Sequence, residues 1–176
     1  MGLDISAYQG LTFAPPGQGL DENGYPDDSN GYFGVYINPD FAARAADLPN
    51  PCVCASSTGS MGFRAGSYGS YSRWREQLAH MAGYPALVDE EGHSGHAVGA
   101  WAVDSGPFWE LIHFSDCEGA IGPSISAKLS ADFQEHMDAA HGFDAAHEGG
   151  GYFLSNYQEF AKAFAMAADG GAVSFH

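Results

Sequence analysis

The chain has 176 residues and a formal net charge of −16, with only 6 Lys and Arg against 22 Asp and Glu. Charged residues make up 16% of it, against roughly 25% in typical soluble domains, so a shortage of cations causes the acidity and a carboxylate-rich DNA mimic is not indicated. So few cations cannot neutralise a phosphate track, which argues against direct nucleic-acid binding, whereas a basic protein partner remains compatible with the charge.

The chain has the size and composition of one soluble domain. A hydrophobic content of 45% over 176 residues favours a single globular domain, residues 1–176. The start, MGLDISAYQG, has neither a basic segment nor a long apolar one, so it does not predict a cleaved secretory signal. No apolar run approaches the ~20 residues that a membrane span needs. Three cysteines, an odd number, are typical of reduced thiols, and we expect a cytoplasmic protein.

The first predicted element is a β-strand. Leu3, Ile5 and Ala7 alternate with polar residues, which is typical of a strand with one buried face, and the strand is predicted to end near Gln9. The following residues, 15–31, are dense in Pro, Gly, Asn and Asp and predict a long exposed loop.

Two more strands and a short helix are predicted before residue 60. YFGVYI, residues 32–37, is aromatic and β-branched and favours a strand. Asn38 is a good N-cap for a helix of about two turns over FAARAADL, residues 41–48. PCVCAS, residues 51–56, predicts a brief strand that places both of its thiols on one face.

Predicted helices dominate the second half of the chain, because apolar residues there recur at spacings of three and four. They cover residues 72–83 with Ser72 as N-cap, residues 108–114 after Pro107, residues 126–142, and residues 156–171 with Asn156 as N-cap. HAVGAWAV, residues 96–103, suits either a strand or a buried helix, and AVSFH, residues 172–176, suits an edge strand. Together these elements predict an α+β fold, with a small mixed or antiparallel sheet, its strands mainly N-terminal, packed against three to five helices.

The scarce cations are concentrated in one segment, FRAGSYGSYSRWRE. It contains Arg64, Arg73 and Arg75, three of the six basic residues. A Gly- and Ser-rich turn that opens a helix presents free N–H groups, and the helix dipole favours an anion there, so the segment predicts a phosphate or carboxylate site. The other residues predicted to take part are Ser67, Ser70 and Ser72 through their hydroxyls, and Tyr68 and Tyr71 by stacking on a planar group.

The alternative is that these arginines are structural and pair with carboxylates. Asp116 and Glu118, which flank Cys117 in HFSDCEGAIGP, are the favoured counter-charges. The sequence has neither a Walker A motif nor a dinucleotide-binding fingerprint, so both interpretations stay open.

Cys117 is the candidate nucleophile. A reactive thiolate needs a nearby cation or imidazole, and the flanking carboxylates are a poor local setting for one. Catalysis would therefore require a histidine that the fold brings in, with His113, His96 and His176 as the candidates. The alternative is a buried, unreactive thiol in a turn after a helix.

A weak metal-site candidate lies in EEGHSGH, where His93 and His96 are three residues apart. Cys52 and Cys54 are possible soft ligands for the same ion. Neither an HExxH motif nor a paired CxxC motif is present, and the segment is Gly-rich, so solvated histidines in a loop are the alternative. We expect no metal and no cofactor.

Several blocks of sequence carry a resemblance to known proteins. With FRAGSYGSYSRWRE, GPFWELIHFSDCEGAIGP and the closing GGAVSFH, the chain resembles a group of small uncharacterised bacterial and phage proteins that begin MGLDI. The likeness covers most of the chain apart from the loop after Pro15. It implies an intracellular setting and a phage accessory role, and it assigns no activity and no catalytic residue.

These observations predict an accessory protein that works by binding. One predicted target is a basic surface on a partner protein, as an inhibitor would recognise it, and the other is an anionic, nucleotide-like small molecule. The alternative is a small hydrolase or transferase that uses Cys117 with a histidine, or a metal at His93 and His96.

Overall fold

Antiparallel sheets and helices both run through the chain, and the predicted α+β class is confirmed. The computed structural model describes residues 2–147 and 151–176. The strands are β1 (Gly2–Gln9), β2 (Thr12–Phe13), β3 (Phe33–Val35), β4 (Cys52–Ser56), β5 (Gly59–Ser67), β6 (Leu87–Val88), β7 (Ser94–Gly95), β8 (Gly119–Ile121) and β9 (Ala172–Phe175). The α-helices are α1 (Tyr68–Met81), α2 (His96–Trp101), α3 (Trp109–Ile112), α4 (Pro123–Glu135), α5 (Met137–Ala146) and α6 (Tyr152–Ala167).

The largest sheet has the strand order β5–β1–β9–β8, and its neighbouring strands are antiparallel. In β1, Leu3, Ile5 and Ala7 are buried and the residues between them are partly exposed, which confirms the predicted N-terminal strand. Ile5 pairs with Phe63 on β5 and with Phe175 on β9, so β1 lies in the interior of the sheet.

Two strands of this sheet differ from the sequence predictions. The sequence does not indicate β5, because GSMGFRAGS is rich in Gly and Ser and contains no β-branched residue. β9 is an interior strand between β1 and β8, so the expectation of an edge strand is wrong. The cause is β8, a strand of only three residues, which pairs with the second edge of β9.

A second sheet has the order β2–β4–β3. β3 is three residues long, shorter than the strand expected over residues 32–37. In β4 the thiols of Cys52 and Cys54 are buried on one face, with their Sγ atoms 3.9 Å apart, as predicted. Both thiols are free, and they belong to an apolar cluster that includes Ala120 on β8 and Ala172 on β9. This cluster joins the two sheets.

The loop expected over residues 15–31 lies between β2 and β3, and most of its residues are exposed. A backbone bridge between Leu20 and Pro26 and a 3₁₀ turn over Asp28–Asn30 fold it back on itself. Pro26 lies over Gly34 of β3, where a Cβ atom would stand 2.6 Å from the proline ring. The loop therefore packs against the second sheet.

After β3, two 3₁₀ turns replace the expected α-helix. They cover Pro39–Ala45, and the non-helical backbone of Phe41 separates them. The predicted N-cap is confirmed, because Asn38 Oδ1 accepts a hydrogen bond from Asp40 N at 3.0 Å.

The main core is aromatic, and in it side chains of α6 pack against those of α1 and of α4. Trp74 on α1 stacks on Phe160 of α6 with ring centroids 4.7 Å apart, and Phe133 on α4 meets Tyr157 on α6 at the same distance. Trp74 Nε1 donates to Phe153 O at 3.1 Å, and the Tyr157 hydroxyl donates to Phe133 O at 2.9 Å. These bonds satisfy polar atoms that would be costly to bury unpaired.

Two helices begin earlier than expected. The N-cap of α1 is Ser67, whose Oγ accepts a bond from Ser70 N at 3.1 Å, and not Ser72. α6 begins at Tyr152, so Asn156 is a buried residue inside the helix and not its N-cap.

In three other segments the observed helices differ from the predicted elements in number, type or length. The helix expected over residues 126–142 is two helices, α4 and α5, which meet at His136, where the backbone has φ −99° and ψ 11°. Within residues 96–103, His96–Trp101 form the helix α2 and not a strand. The helix expected over residues 108–114 is the single turn α3, which begins after Phe108, whose backbone is left-handed with φ 57°, and ends at Ile112.

No helix within the described part of the chain is both long enough and apolar enough to cross a membrane.

Candidate ligand-binding site

The three clustered arginines lie in three different environments. The turn expected before α1 is the strand β5, so Arg64 lies on the sheet while Arg73 and Arg75 lie on the helix. Arg64 Nη1 is 3.4 Å from both carboxylate oxygens of Asp4 on β1, and both side chains are well exposed. An exposed ion pair of this kind contributes little to stability. Arg64 therefore lines neither of the cavities that Arg75 lines, which differs from the anion site predicted at all three arginines.

Arg75 is the buried member of the set, with 8% of its surface exposed. Its Nη1 donates to the carbonyl oxygens of Ile112 at 3.4 Å and of Phe114 at 2.5 Å, and its Cζ lies 4.7 Å from the centre of the Tyr71 ring. Nε and Nη2 donate to no described acceptor and are not among the fully buried unpaired atoms, so they reach solvent. Nη1 therefore has a structural role, while Nε and Nη2 are available to bind a ligand.

Neither proposed counter-charge pairs with these arginines. Within residues 2–147 and 151–176, no carboxylate forms a salt bridge with Arg75, and Asp116 and Glu118 form none with any cation. Asp116 and Glu118 do line a cavity that Arg75 also lines. The pairing expected from the sequence is thus not observed, although the three residues are neighbours.

Two cavities meet at Arg75. The first, of about 450 Å³, lies between α1 and α2, and the second, also of about 450 Å³, lies beside the segment that links α3 to β8. Arg75, Trp101 and Ile112 line both, and we call the two cavities together the Arg75 cleft. Polar side chains of the first cavity are Ser72, Arg73, Glu76, His93 and Ser94, and those of the second are Asn38, Asp40, His113, Ser115, Asp116, Cys117 and Glu118.

Arg73 is the exposed cation of the first cavity. In the described chain its side chain makes neither a hydrogen bond nor a salt bridge, so it is free to meet a ligand. The carboxylate that shares this cavity, Glu76, is already occupied, because it accepts His96 N at 2.7 Å and Ala97 N at 2.8 Å. Those two N–H groups open α2, whose cap residue Gly95 has no side chain to bind them. The N–H groups at the start of α2 thus partly offset the negative charge of Glu76. The positive charge of Arg73 is not neutralised by Glu76.

The tyrosines and serines before Ser72 do not take the predicted ligand-binding positions in the Arg75 cleft. Tyr71 is fully buried between Trp74 and Phe175, so it cannot stack on a ligand, and burial raises the pKa of its hydroxyl. Ser67 and Ser70 bond to each other at 2.8 Å while they cap α1. These three residues are structural.

Tyr68 lines a separate cavity of about 600 Å³, in which Tyr8 and Tyr36 also lie. Cys117 and His176 line this cavity too, and His176 Nε2 lies 2.9 Å from Ser6 Oγ. Tyr68 therefore does not belong to the Arg75 cleft, although Cys117 lies on the wall of both.

Cys117 and His113, the candidate catalytic pair, both line the second cavity of the cleft. Cys117 is exposed, and its Sγ is 3.6 Å from Ser115 Oγ, so the alternative of a buried thiol is wrong at this position. Burial, and then the charges of Arg44 and Arg75, lower the pKa of His113. His113 is consequently neutral at neutral pH and able to accept a proton.

The two histidines of the weak metal candidate are engaged separately. His93 Nδ1 lies 3.0 Å from Asp89 Oδ2 in the turn between β6 and β7. His96 Nδ1 lies 2.6 Å from Tyr84 O, and its ring stacks on His80 with centroids 4.1 Å apart. Over the described ranges, no group of three or more His, Cys, Asp or Glu is placed to hold a metal ion.

Trp101 is a residue of the cleft wall that the sequence analysis does not predict. Its indole is 45% exposed at the end of α2 and lines both cavities. The signal was present in HAVGAWAV, since a tryptophan that ends a short apolar helix has one side left uncovered. The sequence does not predict the carbonyl acceptors of Arg75, because the positions of Ile112 O and Phe114 O depend on the backbone conformation at the end of α3.

No family model matches the chain, and neither a curated protein nor a solved structure shows significant similarity to it. The geometry of the Arg75 cleft is therefore what indicates a function.

Proposed function

We propose that this protein binds a small anionic ligand with a planar group, such as a nucleotide, in the Arg75 cleft. The observation that supports this most directly is that Arg75 is 8% exposed and has no carboxylate partner among the described residues. A buried charge is costly unless it is paired, and its free Nε and Nη2 edge suits a phosphate or carboxylate oxygen pair. A bound anion would supply the missing charge.

The rest of the first cavity suits the same ligand. Arg73 adds a second, exposed guanidinium, and the hydroxyls of Ser72 and Ser94 add neutral donors. Trp101 offers an exposed indole on which a base or an aryl ring can stack. Each cavity, at about 450 Å³, falls within the range of roughly 300–1,000 Å³ that is typical of small-molecule sites.

The net charge restricts the ligand to a small one. At −16 the protein repels a polyanion over its whole surface, so a nucleic-acid strand is disfavoured even though one phosphate is accommodated locally.

Thermal unfolding in the presence of anions tests the proposal. The melting temperature is expected to rise with AMP, ATP or phenyl phosphate, because a ligand that binds only the folded state stabilises it. Arg73→Ala should abolish or strongly reduce the rise, and Trp101→Ala should reduce it for the aromatic anions more than for inorganic phosphate. Arg64→Ala, which removes another exposed arginine outside the cleft, should leave it intact.

Two outcomes count against the proposal. One is that the melting temperature does not rise with AMP, ATP, phenyl phosphate or inorganic phosphate. The other is that it rises by the same amount in Arg73→Ala and in Arg64→Ala.

A second candidate function, a small hydrolase or transferase, is favoured by one observation: Cys117 and His113 line the cavity that Arg75 also lines. An anchored anionic substrate would then lie beside a thiol and a neutral imidazole. This candidate expects Cys117 to react with iodoacetamide at pH 7 faster than free cysteine does, and His113→Ala to slow the reaction. A rate no greater than that of free cysteine would exclude it.

A further inference from the structure

Several exposed apolar side chains lie on and beside the second sheet, and none of them lines the Arg75 cleft. Tyr25, Tyr36 and Leu20 are exposed, and all three line a cavity of about 560 Å³ over β3 and β4. Leu20 also lines an adjoining cavity of about 300 Å³, together with exposed Phe13. We call the two cavities together the Tyr25–Tyr36 groove. Contiguous apolar surface of this kind is typical of an interaction site, and tyrosine is enriched in such sites.

The loop that forms one wall of the groove is held in place locally. Asp21 Oδ1 accepts hydrogen bonds from the backbone N–H groups of Asn23 and Tyr25, each at 2.9 Å. The Asp27 carboxylate accepts hydrogen bonds from the side chains of Ser29 and Asn30. The hydrogen bond from Tyr25 N lowers the pKa of Asp21, so its carboxylate stays ionised at neutral pH. A wall fixed in this way loses little conformational entropy when a partner binds.

The charge around the groove selects the partner. Residues 1–43 contain no Lys, Arg or His, and the loop carries Asp21, Glu22, Asp27 and Asp28, of which Asp28 lines the groove itself. A second copy of this chain brings another charge of −16 to the same surface and is repelled. A basic segment is attracted to it.

We propose that the Tyr25–Tyr36 groove docks a segment of a partner protein in which Lys or Arg residues flank an apolar or aromatic side chain. The apolar side chain lies between Tyr25 and Tyr36, and the cations meet the carboxylates of the 15–31 loop. The groove and the Arg75 cleft share no lining residue, so the protein can hold a small anion and a basic partner at the same time.

Selection from a random 12-residue peptide library displayed on phage tests this inference with the intact protein as bait. Enriched peptides should be rich in Lys and Arg and contain a Tyr, Phe, Trp or Leu. A synthetic copy of an enriched peptide should bind the Tyr25→Ser/Tyr36→Ser variant at least about tenfold more weakly. Its affinity should also fall as NaCl is raised from 50 to 300 mM.

Val88→Ser is the matched control, because Val88 is as exposed as Tyr25 and does not line the groove. All these substitutions are on the surface and should change the melting temperature little. Four results would overturn the inference: no enrichment, enrichment without a basic bias, equal binding to the double tyrosine variant, or dimerisation of the wild-type protein that the double variant loses. Anion binding at Arg75 is unaffected by any of these, so the two proposals fail separately.

Discussion

The nitrogens of the Arg75 guanidinium have two different roles: one makes structural hydrogen bonds, and the other two remain available to a ligand. Nη1 ties α1 to the carbonyl oxygens of Ile112 and Phe114, while Nε and Nη2 have no described acceptor. The rigid, planar fork of arginine permits this division, which a lysine ammonium cannot reproduce.

Arg75→Met should lower the free energy of unfolding and remove anion binding together. We expect a loss of about 1–3 kcal/mol, because two carbonyl groups lose a charged donor. Arg73→Met, in which an exposed arginine is lost, should change the free energy of unfolding by less than about 0.5 kcal/mol while still removing the anion effect. Urea unfolding with and without phenyl phosphate measures both quantities. A destabilised Arg75→Met protein that still bound the anion would show that Arg75 is purely structural.

The three thiols should differ sharply in accessibility. Cys117 is exposed, whereas Cys52 and Cys54 are buried. The hydrogen bond with Cys54, together with burial, raises the pKa of Cys52. One equivalent of a thiol reagent should therefore label the folded protein at pH 8, and three should label it in denaturant. Mass spectrometry of the labelled peptides identifies the sites, and labelling of Cys52 in the folded protein would contradict the burial of this pair.

At the scale of elements, α2 depends on a residue from another helix. Glu76 on α1 accepts the first two N–H groups of α2, which Gly95 cannot satisfy. Because Trp101 and Val98 on α2 line the first cavity, the same contact fixes one wall of the Arg75 cleft.

Glu76→Ala should destabilise the protein by about 1 kcal/mol, the usual cost of losing a helix cap. Hydrogen exchange should show faster exchange at His96 and Ala97, whose N–H groups lose their acceptor. Glu90→Ala, in an exposed turn, is the control and should change neither. Unchanged exchange at His96 and Ala97 would mean that the cap contributes nothing.

The sequence predicted elements with a strong period and missed those without one. β1 and the main part of α6 follow from alternation and from spacings of three and four. β5 and β8 are rich in small residues, so their strand character comes from pairing with β1 and β9 and not from local propensity.

The candidate site was predictable only in part, for the same reason. The position of Arg73 and Arg75 in a cation-poor chain predicts their role, but the Gly- and Ser-rich sequence of β5 predicts a turn and so wrongly groups Arg64 with them. The burial of Tyr71 and the exposure of Trp101 depend on which face of each helix meets the core. Those faces are set by tertiary packing, which a single segment does not encode.

At the scale of the whole molecule, histidines join three helical segments. The His80 ring on α1 stacks on His96 of α2 and meets the edge of His147, just after α5, at 5.7 Å. Burial and the two neighbouring imidazoles lower the pKa of His80, while Glu76 acts in the opposite direction. His113 also has a lowered pKa, for reasons of burial and nearby arginines.

These shifts predict that the protein is less stable in mild acid. The unfolded chain takes up protons at these histidines from about pH 6.5 downward, before the folded protein does, so the free energy of unfolding falls as the pH is lowered through that value. Chemical unfolding at pH 7.5 and 5.5 measures the difference. His80→Gln should reduce it, and His141→Gln, an exposed control on α5, should not. Equal stability at the two pH values would contradict the shifts.

The interior position of β9 affects how the protein is made. Residues 172–175 pair with residues 5–8, so the central sheet stays open until residues 172–175 have left the ribosome. Until then β1 can pair with β5 alone, and its free edge is a template for wrong pairing with a neighbouring nascent chain. A prematurely terminated product that lacks β9 would keep the unpaired edge of β1, and quality-control proteases should recognise it.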